Sequence, residues 1–487
     1  MTAIVWFRRD LRLHDNPALV RALAGHTSVV PVFCLDDRLL SGRHRCAPRA
    51  AFLRGCLLEL DRRLATLGSG LVVLSGRPEA ALPRLAARLN AEETFAAADV
   101  SPFSRRRDNA TALALRSAGS ALRLQPGVFA VDDLSALRTG AGGPYSVFTH
   151  FHRRWLREPR RTVLPAPDAL PALPSSVQAS GVPGFGEALA HARFQAGEAA
   201  GRASMFEFTK SGVGNYAELH DAVGRPGTSR LSPYLHLGCI SPRELESLLP
   251  DGTGGTAARR QLCWRDFYAH VLLHNPGNAR AEQQEHLRGR VAWVGSVQLF
   301  DAWRTGQTGY PLVDAGMREL ARTGYMHNRA RLVVGSFLVK DLGIDWRWGE
   351  RWFMRTLLDG DEANNNGNWQ WIASVGVDPQ PPSRRMFNPV LQQRRFDPDG
   401  TYVRLNVPEL REVPNEYLAE PWMMPDGIQR AARCRIGVDY PAPIVDHAQA
   451  RREAIARYAR AREARQVTLP ARHPPSAVDR PADRPRA

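Results

Sequence analysis

The first 130 residues alternate short apolar runs with stretches of helical periodicity. Residues 3–7, 29–33 and 71–74 are the clearest apolar runs, and 95–98 and 122–124 are weaker ones. Short continuous runs of this kind are typical of strands that are buried on both faces of a parallel sheet. Because they alternate with helical segments, they predict a doubly wound, Rossmann-like α/β domain over residues 1–130.

The remainder of the chain changes character twice. Residues 131–200 are rich in Pro, Gly, Ser and Ala, which predicts an interdomain linker. From 201 to 450 the pattern is helical and rich in tryptophan, so we expect a large all-α domain there. Residues 451–487 are predicted to form a basic, disordered tail, although its first part, 451–465, has a helical pattern of its own.

Composition and charge narrow the class of protein. A hydrophobic fraction of 44% with 23% charged residues is ordinary for a folded chain. The six cysteines stand far apart without a CxxC pair, so neither a disulfide framework nor a metal site is expected. The chain turns charged after seven residues and has no apolar run long enough to span a membrane, so we expect a cytoplasmic protein. A net charge of +16 favours an anionic partner such as nucleic acid.

Residues 227–235, GTSRLSPYL, concentrate hydroxyl groups just before a predicted helix. Thr228, Ser229 and Ser232 could hold a pyrophosphate with their hydroxyls and with nearby backbone N–H groups. The same residues also fit a plain helix N-cap with a proline at the turn. Spacing alone leaves both interpretations open.

The segment 359–371, DGDEANNNGNWQW, combines two acids, three consecutive asparagines and two tryptophans. Asn and Gly are poor residues for a helix interior, so this segment is expected to be kept for its hydrogen-bonding groups. No histidine stands at a spacing suited to a metal, whereas a polar ring system such as a flavin suits these donors and acceptors. The alternative is a capped loop that leads into a core helix.

Two further segments mix aromatic with basic residues. Residues 325–332, YMHNRARL, include Arg331, which could pair with one of the acids described above beside a charged cofactor. Residues 264–268, WRDFY, suit stacking on an unpaired base with phosphate contacts nearby. A solvated basic face and an amphipathic core helix are the respective alternatives.

Taken in chain order, these segments resemble the DNA photolyase/cryptochrome family of blue-light flavoproteins, and most of all its class I cyclobutane pyrimidine dimer photolyases. The resemblance begins with VWFRRDLRLHDNPAL at residues 5–19 and continues through GTSRLSPYLHLG, WRDFY, TGYPLVDAGMREL, MHNR, FLVKDLGIDWR and DGDEANNNGNWQW. It covers about residues 1–440. It implies an α/β domain that can hold an antenna chromophore and an all-α domain that binds FAD.

The resemblance also implies roles for individual residues. The residues that would contact FAD are Tyr216, Thr228, Ser229, Arg230, Leu231, Ser232, Arg331, Asp359, Gly360, Asp361 and Asn365, the last of them opposite the flavin N5. The residues that would carry electrons to the flavin are Trp369, Trp346 and Trp293. The residues that would hold DNA and its lesion are Gln261, Trp264, Arg265, Asn328, Arg329, Trp371 and His220.

The implied activity is light-driven DNA repair by a carbon–carbon lyase. Reduced FAD, excited by blue light, would donate an electron that splits a cyclobutane pyrimidine dimer, and the expected partner is DNA with UV lesions, bound by a monomer. A cryptochrome-like photoreceptor without repair activity is the alternative, and repair of (6-4) photoproducts is a third possibility. Asn365 and the pair Trp264 and Trp371 favour dimer repair.

Three positions depart from the pattern of dimer photolyases. Gln261 replaces a Glu, Leu332 replaces a Met and His220 replaces a phosphate-binding Arg, and together these departures favour the photoreceptor. Gln261 also resembles the (6-4) branch, but Asn328 stands where that branch has a His. For the antenna, residues 100–108 lack the Asn-Glu pair of folate-binding members, so a deazaflavin-type chromophore is expected rather than folate, with FMN or an empty pocket as the alternatives.

Overall fold

Five parallel strands build the sheet of the N-terminal domain in this computed structural model, which describes residues 1–187, 193–377 and 380–463. The strands are β1 (Thr2–Phe7), β2 (Ser28–Leu35), β3 (Val72–Ser75), β4 (Ala91–Ala97) and β5 (Ala121–Gln125). They lie side by side in the order β3-β2-β1-β4-β5. All five predicted strands are therefore present, and β4 begins at Ala91, before its predicted start.

Helices cover both faces of this sheet. They are α1 (Pro17–Gly25), α2 (Asp37–Leu40), α3 (Ala47–Thr66), α4 (Pro78–Leu89) and α5 (Pro102–Ser117). Ile4 and Val5 are neighbours on β1 that point to opposite faces, and both are fully buried. This two-sided burial confirms the predicted doubly wound α/β domain.

The predicted linker contains a helix that the sequence analysis missed. Helix α6 (Phe148–Arg157) packs against the helical domain, and the indole N–H of Trp155 donates to Asp266 Oδ2 at 3.0 Å. Phe148, Phe151 and Trp155 are its buried residues. Their spacing of three and four positions is that of one helix face, but the surrounding Pro- and Gly-rich sequence obscured it.

The rest of the described chain is helical, as predicted. Its helices are α7 (Glu198–Glu207), α8 (Tyr216–Leu219), α9 (Ser232–Leu237), α10 (Pro242–Leu248), α11 (Thr253–His274), α12 (Val297–Thr305), α13 (Pro311–Thr323), α14 (Asn328–Ser336), α15 (Trp346–Thr356), α16 (Glu362–Ile372), α17 (Pro389–Phe396), α18 (Thr401–Asn406), α19 (Asp426–Ala431) and α20 (His447–Glu463). None of the helices in the described ranges combines the length and the apolar character that crossing a membrane requires.

The predicted start of the disordered tail at residue 451 is wrong. Helix α20 continues through this position to Glu463, and Tyr458 on it is buried in the core of the helical domain. The Tyr458 hydroxyl donates to the carbonyl of Ala373, and Lys340 Nζ lies 3.9 Å from the centre of the Tyr458 ring. One anchored aromatic ring thus holds a helix whose outer face is basic. The predicted disorder concerns residues that lie outside the described ranges.

Arginines of the N-terminal domain fasten the two domains together. Arg12 donates to the carbonyl of Gly238 at 3.0 Å. Arg49 donates to the carbonyls of Leu357 and Met354, at 2.8 and 2.9 Å, where α15 ends. These contacts place the segment that follows α15, which contains Asp359, the first acid of the DGDEANNNGNWQW motif, against the α/β domain.

Candidate functional site

A cavity of about 470 Å³ lies among the helices of the second domain. It gathers most of the residues singled out from the sequence, although they come from segments far apart in the chain. The predicted site residues that line it are Tyr216, His220, Thr228, Ser229, Arg230, Leu231, Ser232, Gln261, Trp264, Arg265, Asn328, Arg329, Arg331, Asp359, Asp361 and Trp371. Gly360, Asn365, Trp369, Trp346 and Trp293 do not line it.

The hydroxyl-rich loop before α9 does not serve as a helix cap. The N-cap position of α9 is Leu231, and no side chain caps this helix end. Ser232 instead donates its hydroxyl to Asp359 Oδ2 at 2.5 Å. Thr228 and Ser229 line the cavity with hydroxyls that bond to no described side chain or carbonyl. The plain N-cap alternative is therefore wrong, and these groups remain available to a bound anion.

A buried ion pair crosses the cavity wall. Arg331 Nη2 lies 2.9 Å from Asp359 Oδ2, and Arg331 Nε donates to the carbonyl of Met326 at 2.8 Å. Burial alone would raise the pKa of the Asp359 carboxyl, but the charge and hydrogen bond of Arg331 hold it below its usual value. Asp359 is therefore an anion at neutral pH.

One oxygen of Asp359 is left without a partner. Its Oδ1 is buried and accepts no hydrogen bond from any described residue. A buried acceptor that stays unsatisfied costs about 1–3 kcal/mol. A ring N–H of a flavin is the kind of donor that would satisfy it, while the free hydroxyls of Thr228 and Ser229 suit the phosphates. The residues present thus fit an FAD.

Asp361 is fixed from the α/β domain. Arg9 places one guanidinium nitrogen 2.5 Å from Asp361 Oδ2 and another 3.2 Å from Asp99 Oδ2. Asp361 Oδ1 accepts the backbone N–H of Asn364 at 2.8 Å and so caps α16. Burial opposes its ionisation, but the charge of Arg9 lowers the pKa of the Asp361 carboxyl well below its usual value. The carboxylate thus both caps the helix and anchors the domain contact.

Gly360, between these two acids, is needed for a steric reason. A Cβ at this position would lie 2.2 Å from Arg49 Nη1, so a larger residue would have to displace the Arg49 guanidinium. The guanidinium of Arg49 occupies that space because it bonds the carbonyl of Leu357. Gly360 therefore shapes the loop and does not face the cavity.

His236 is a cavity residue that the sequence analysis did not select. It stands between the carboxylate-bearing loop and Arg9, and its Nδ1 is buried without a hydrogen-bond partner among the described residues. Burial, followed by the charge of Arg9, lowers the pKa of His236 to about 3. It is a neutral polar group beside the proposed flavin position. Its place inside the quoted GTSRLSPYLHLG motif was the available signal.

The three tryptophans of the expected electron path differ in burial. Trp369 and Trp346 are almost fully buried in the helical core, while Trp293 is only partly buried at its edge. Trp369 packs on α15, where a Cβ at Gly349 would lie 2.1 Å from its Cη2. Gly349 is one helical turn after Trp346 on the same helix, so Trp369 and Trp346 share one packing region.

Asn365 lies on α16 with its amide directed to α15. Its Nδ2 donates to the carbonyl of Glu350 at 2.9 Å and to Glu350 Oε1 at 3.0 Å. Burial raises the pKa of the Glu350 carboxyl. The side-chain amide is thus oriented by two acceptors of one residue, which fixes the direction of its carbonyl oxygen.

Two half-buried tryptophans face the cavity. Trp264 stacks on Phe148 of α6, with ring centres 3.6 Å apart and planes 2° from parallel. Trp371 carries the guanidinium of Arg385 over its ring at 4.2 Å. Each indole is therefore backed by another flat group on one side. Phe148 was missed because nothing local in the sequence links it to Trp264.

Two of the predicted DNA-contact residues are bonded elsewhere. Arg265 donates to the carbonyls of Val128 and Leu235, at 2.7 and 3.3 Å, and its side chain is mostly buried. Arg329 pairs with Asp221 and lies over the ring of Phe396 at 4.3 Å. Arg265 thus serves the domain interface, which leaves it poorly placed for a phosphate, whereas Arg329 lies at the cavity wall with part of its charge compensated.

Comparisons with known proteins agree with the geometry. Residues 3–174 match the family model described as DNA photolyase, and residues 258–460 match the one described as FAD binding domain of DNA photolyase. The deoxyribodipyrimidine photo-lyase of Streptomyces griseus is 40% identical over 465 residues, which cover 94% of this chain and 99% of that protein.

Solved structures give the same result. A class III photolyase of Agrobacterium tumefaciens is 35% identical with a TM-score of 0.88, covering 95% of this chain and 98% of its own. A cryptochrome of Synechocystis is 32% identical with a TM-score of 0.86, covering 94% and 98%. Sequence identity, coverage and fold all point the same way, and the chain belongs to the DNA photolyase family.

Proposed function

We propose that this protein is a light-driven DNA repair lyase that splits cyclobutane pyrimidine dimers, acting as a monomer in the cytoplasm on DNA with UV lesions. One observation carries the proposal. A single cavity combines the hydroxyl-rich loop before α9 and the Arg331–Asp359 pair with two half-buried indoles, Trp264 and Trp371. A cofactor and a flat, unstacked substrate therefore fit side by side.

The cofactor in this proposal is FAD. When bound and reduced, FAD supplies the photochemistry, because it absorbs blue light and donates an electron. Thr228 and Ser229 would hold its phosphates with their hydroxyls, next to Ser232, whose hydroxyl bonds Asp359. Asp359 would accept a ring N–H at its unpartnered Oδ1. Arg331 keeps that carboxylate ionised and aligned. Asn365, fixed by Glu350, would present its carbonyl oxygen to the ring.

The tryptophans Trp369, Trp346 and Trp293 would deliver electrons from the surface to an oxidised cofactor. Support comes from their burial, since Trp369 and Trp346 are both buried in the core and Trp293 is only partly buried at its edge. Trp369 lies on α16, the helix that also carries Asn365, so the innermost indole and this cofactor contact share one element.

The lesion would be flipped out of the duplex into the cavity. Extrusion costs least for a base pair that is already poorly stacked, which gives selectivity for a dimer. Trp264 and Trp371 would receive the flat bases, since both line the cavity and each is backed by another flat group, Phe148 and the guanidinium of Arg385. Gln261 lies on the same wall and can both donate and accept a hydrogen bond at the base edge.

The antenna chromophore in this proposal is of the deazaflavin type. The support is the sequence of residues 100–108, which lacks the folate-binding pair. A photoreceptor without repair activity is the second candidate function. Gln261, His220 and Leu332 favour it, because all three line the cavity where dimer photolyases have a Glu, an Arg and a Met.

Repair on two lesions decides between these functions. The reduced holoenzyme receives blue light and an oligonucleotide with either one cyclobutane thymine dimer or one (6-4) photoproduct. We expect light-dependent restoration of the dimer alone. Flavin photoreduction without repair of either lesion would support the photoreceptor instead.

Gln261→Glu tests, in the same assay, whether this cavity residue contacts the lesion. A Glu can share a proton with the pyrimidine edge, so the yield of dimer splitting should rise. Gln298→Glu makes the same chemical change at an exposed site and should leave the yield unchanged. Equal yields in both variants would show that Gln261 does not contact the lesion.

A further inference from the structure

A second group of aromatic side chains leads from Trp369 toward the surface, and it includes neither Trp346 nor Trp293. The rings of Trp369 and Trp303 meet edge to face, with centres 6.2 Å apart and planes at 73°. This is the ordinary spacing of an aromatic pair in contact. Trp303 lies on α12 and is fully buried, so it touches the innermost indole of the proposed electron path inside the core.

Phe300 connects Trp303 with two indoles at the edge of the core. Its ring stacks on Trp303 with centres 5.6 Å apart. It lies edge to face with Trp348 at 5.3 Å and with Trp352 at 6.3 Å, and both indoles are only partly buried. The ring centres of Trp303 and Trp348 are therefore no more than about 11 Å apart. This aromatic branch, which consists of Trp303, Phe300, Trp348 and Trp352, joins the buried Trp369 to the protein surface.

The hydrogen bond of Trp303 suits an indole that carries a positive charge. Its N–H donates to the carbonyl of Val334 at 2.9 Å. Loss of an electron makes this donor more positive, and a charge-assisted hydrogen bond is about twice as strong as a neutral one. The Trp346 N–H is buried and finds no acceptor among the described residues. Hydrogen bonding therefore favours oxidation of Trp303 over oxidation of Trp346.

We propose that the aromatic branch is a second route by which electrons reach Trp369. The inference rests on the proposed FAD and on Trp369 as its electron donor. After Trp369 gives one electron to the photoexcited cofactor, one electron from Trp303 refills it. One electron from Trp348 or Trp352 then refills Trp303. The benzene ring of Phe300 holds its own electrons too tightly to be oxidised, so it serves as a bridge between the indoles.

An external thiol completes the electron balance. The oxidised indole at the surface loses its N–H proton to water and becomes a neutral radical. The thiol then returns one hydrogen atom to the indole nitrogen and is itself oxidised to a thiyl radical. In total, one electron moves from the thiol to the cofactor, one proton is released, and every indole is restored.

The first test measures blue-light photoreduction of the oxidised, FAD-loaded protein in the presence of a thiol. We expect Trp346→Phe to keep a measurable part of the parent rate, because the aromatic branch still supplies Trp369. Adding Trp348→Phe and Trp352→Phe should lower the rate to that of Trp369→Phe. Both added changes lie at partly buried sites, which should let the variant fold. Trp422→Phe in their place removes another partly buried indole and should leave the Trp346→Phe rate unchanged.

The second test locates the oxidised indole without following the flavin. The protein is illuminated with a nitroso spin trap in place of the thiol, because the trap adds directly to an indolyl radical. Peptide mass spectrometry then identifies the modified residue. We expect light-dependent adducts on Trp348 or Trp352 in the parent. Trp303→Phe should lose these adducts, whereas adducts on Trp293 should persist.

The outcomes separate the branch from the proposed function. The branch is overturned if Trp346→Phe alone is reduced as slowly as Trp369→Phe, or if the parent forms no adduct on Trp348 or Trp352. A parent that is not photoreduced, or a Trp369→Phe variant that is reduced at the parent rate, would refute the proposed tryptophan path itself and the branch with it. Repair by the chemically reduced protein needs neither route, so failure of the branch leaves the proposed repair activity standing.

Discussion

A substitution at Gly349 tests the packing of the Trp369 indole against α15. A Cβ at this position would lie 2.1 Å from Trp369 Cη2 and 2.5 Å from Cζ3, whereas ordinary contact begins at 3.4 Å. In Gly349→Ala the indole must therefore retreat by more than 1 Å. Leu338 blocks one direction, because its Cδ2 would lie 2.7 Å from the same Cβ.

The expected cost follows from two opposing effects. Overpacking a core position costs about 1–3 kcal/mol. Replacing Gly by Ala inside a helix returns about 1 kcal/mol of helix propensity. Gly427→Ala is the matched control, because a Cβ there meets nothing within 4 Å and the variant receives only the gain. The two variants should thus differ by about 1–3 kcal/mol in free energy of unfolding.

Two assays read this prediction. Thermal unfolding should place Gly349→Ala several degrees below Gly427→Ala, at about 2–4 °C for each kcal/mol in a domain of this size. Blue-light photoreduction of the oxidised flavin should slow in Gly349→Ala only, because its electron donor is displaced. Equal melting temperatures and equal photoreduction rates in the two variants would refute the packing of Trp369 on Gly349.

Three further predictions test other parts of the site. Phe148→Leu should weaken binding of dimer-containing DNA by about 2- to 10-fold in fluorescence anisotropy, because Trp264 loses its stacking partner, while Phe148→Tyr should not. Trp369→Phe should slow photoreduction but leave repair by the chemically reduced protein intact, and Trp422→Phe should change neither. Burial and nearby carboxylates raise the pKa of Glu362 to about 7 from 4.5, so the folded protein loses stability as the pH rises between these values. Glu362→Gln should therefore unfold with about 1–3 kcal/mol more free energy than the parent at pH 8 and with little difference at pH 4; an equal gain at both pH values would contradict this.

The sequence predicted the elements whose signal is local. The strands of the parallel sheet are continuous apolar runs, so their positions were predicted closely. The motifs at residues 227–235 and 359–371 were recognised from their hydroxyl, carboxylate and amide groups alone. The structure brings residues of both motifs together at one cavity.

The features that the sequence left open depend on contacts between distant residues. Phe148 backs Trp264 across more than a hundred positions, and Tyr458 anchors a helix whose composition reads as a solvated tail. Arg265 looked like a phosphate contact because its neighbours are aromatic, but the carbonyls of Val128 and Leu235 take its guanidinium. Such assignments need the tertiary structure, since charge and spacing do not say which partner a long side chain reaches.

The most direct test of the proposed repair activity counts repaired dimers per protein molecule. The FAD-loaded, reduced protein is mixed without added reductant with an excess of an oligonucleotide that carries one cyclobutane thymine dimer, and half of the sample is kept dark. We expect many dimers restored per protein in blue light and none in the dark, because splitting consumes no net electrons. Restoration that is absent in light, or that stops at one dimer per protein, would contradict a light-driven lyase.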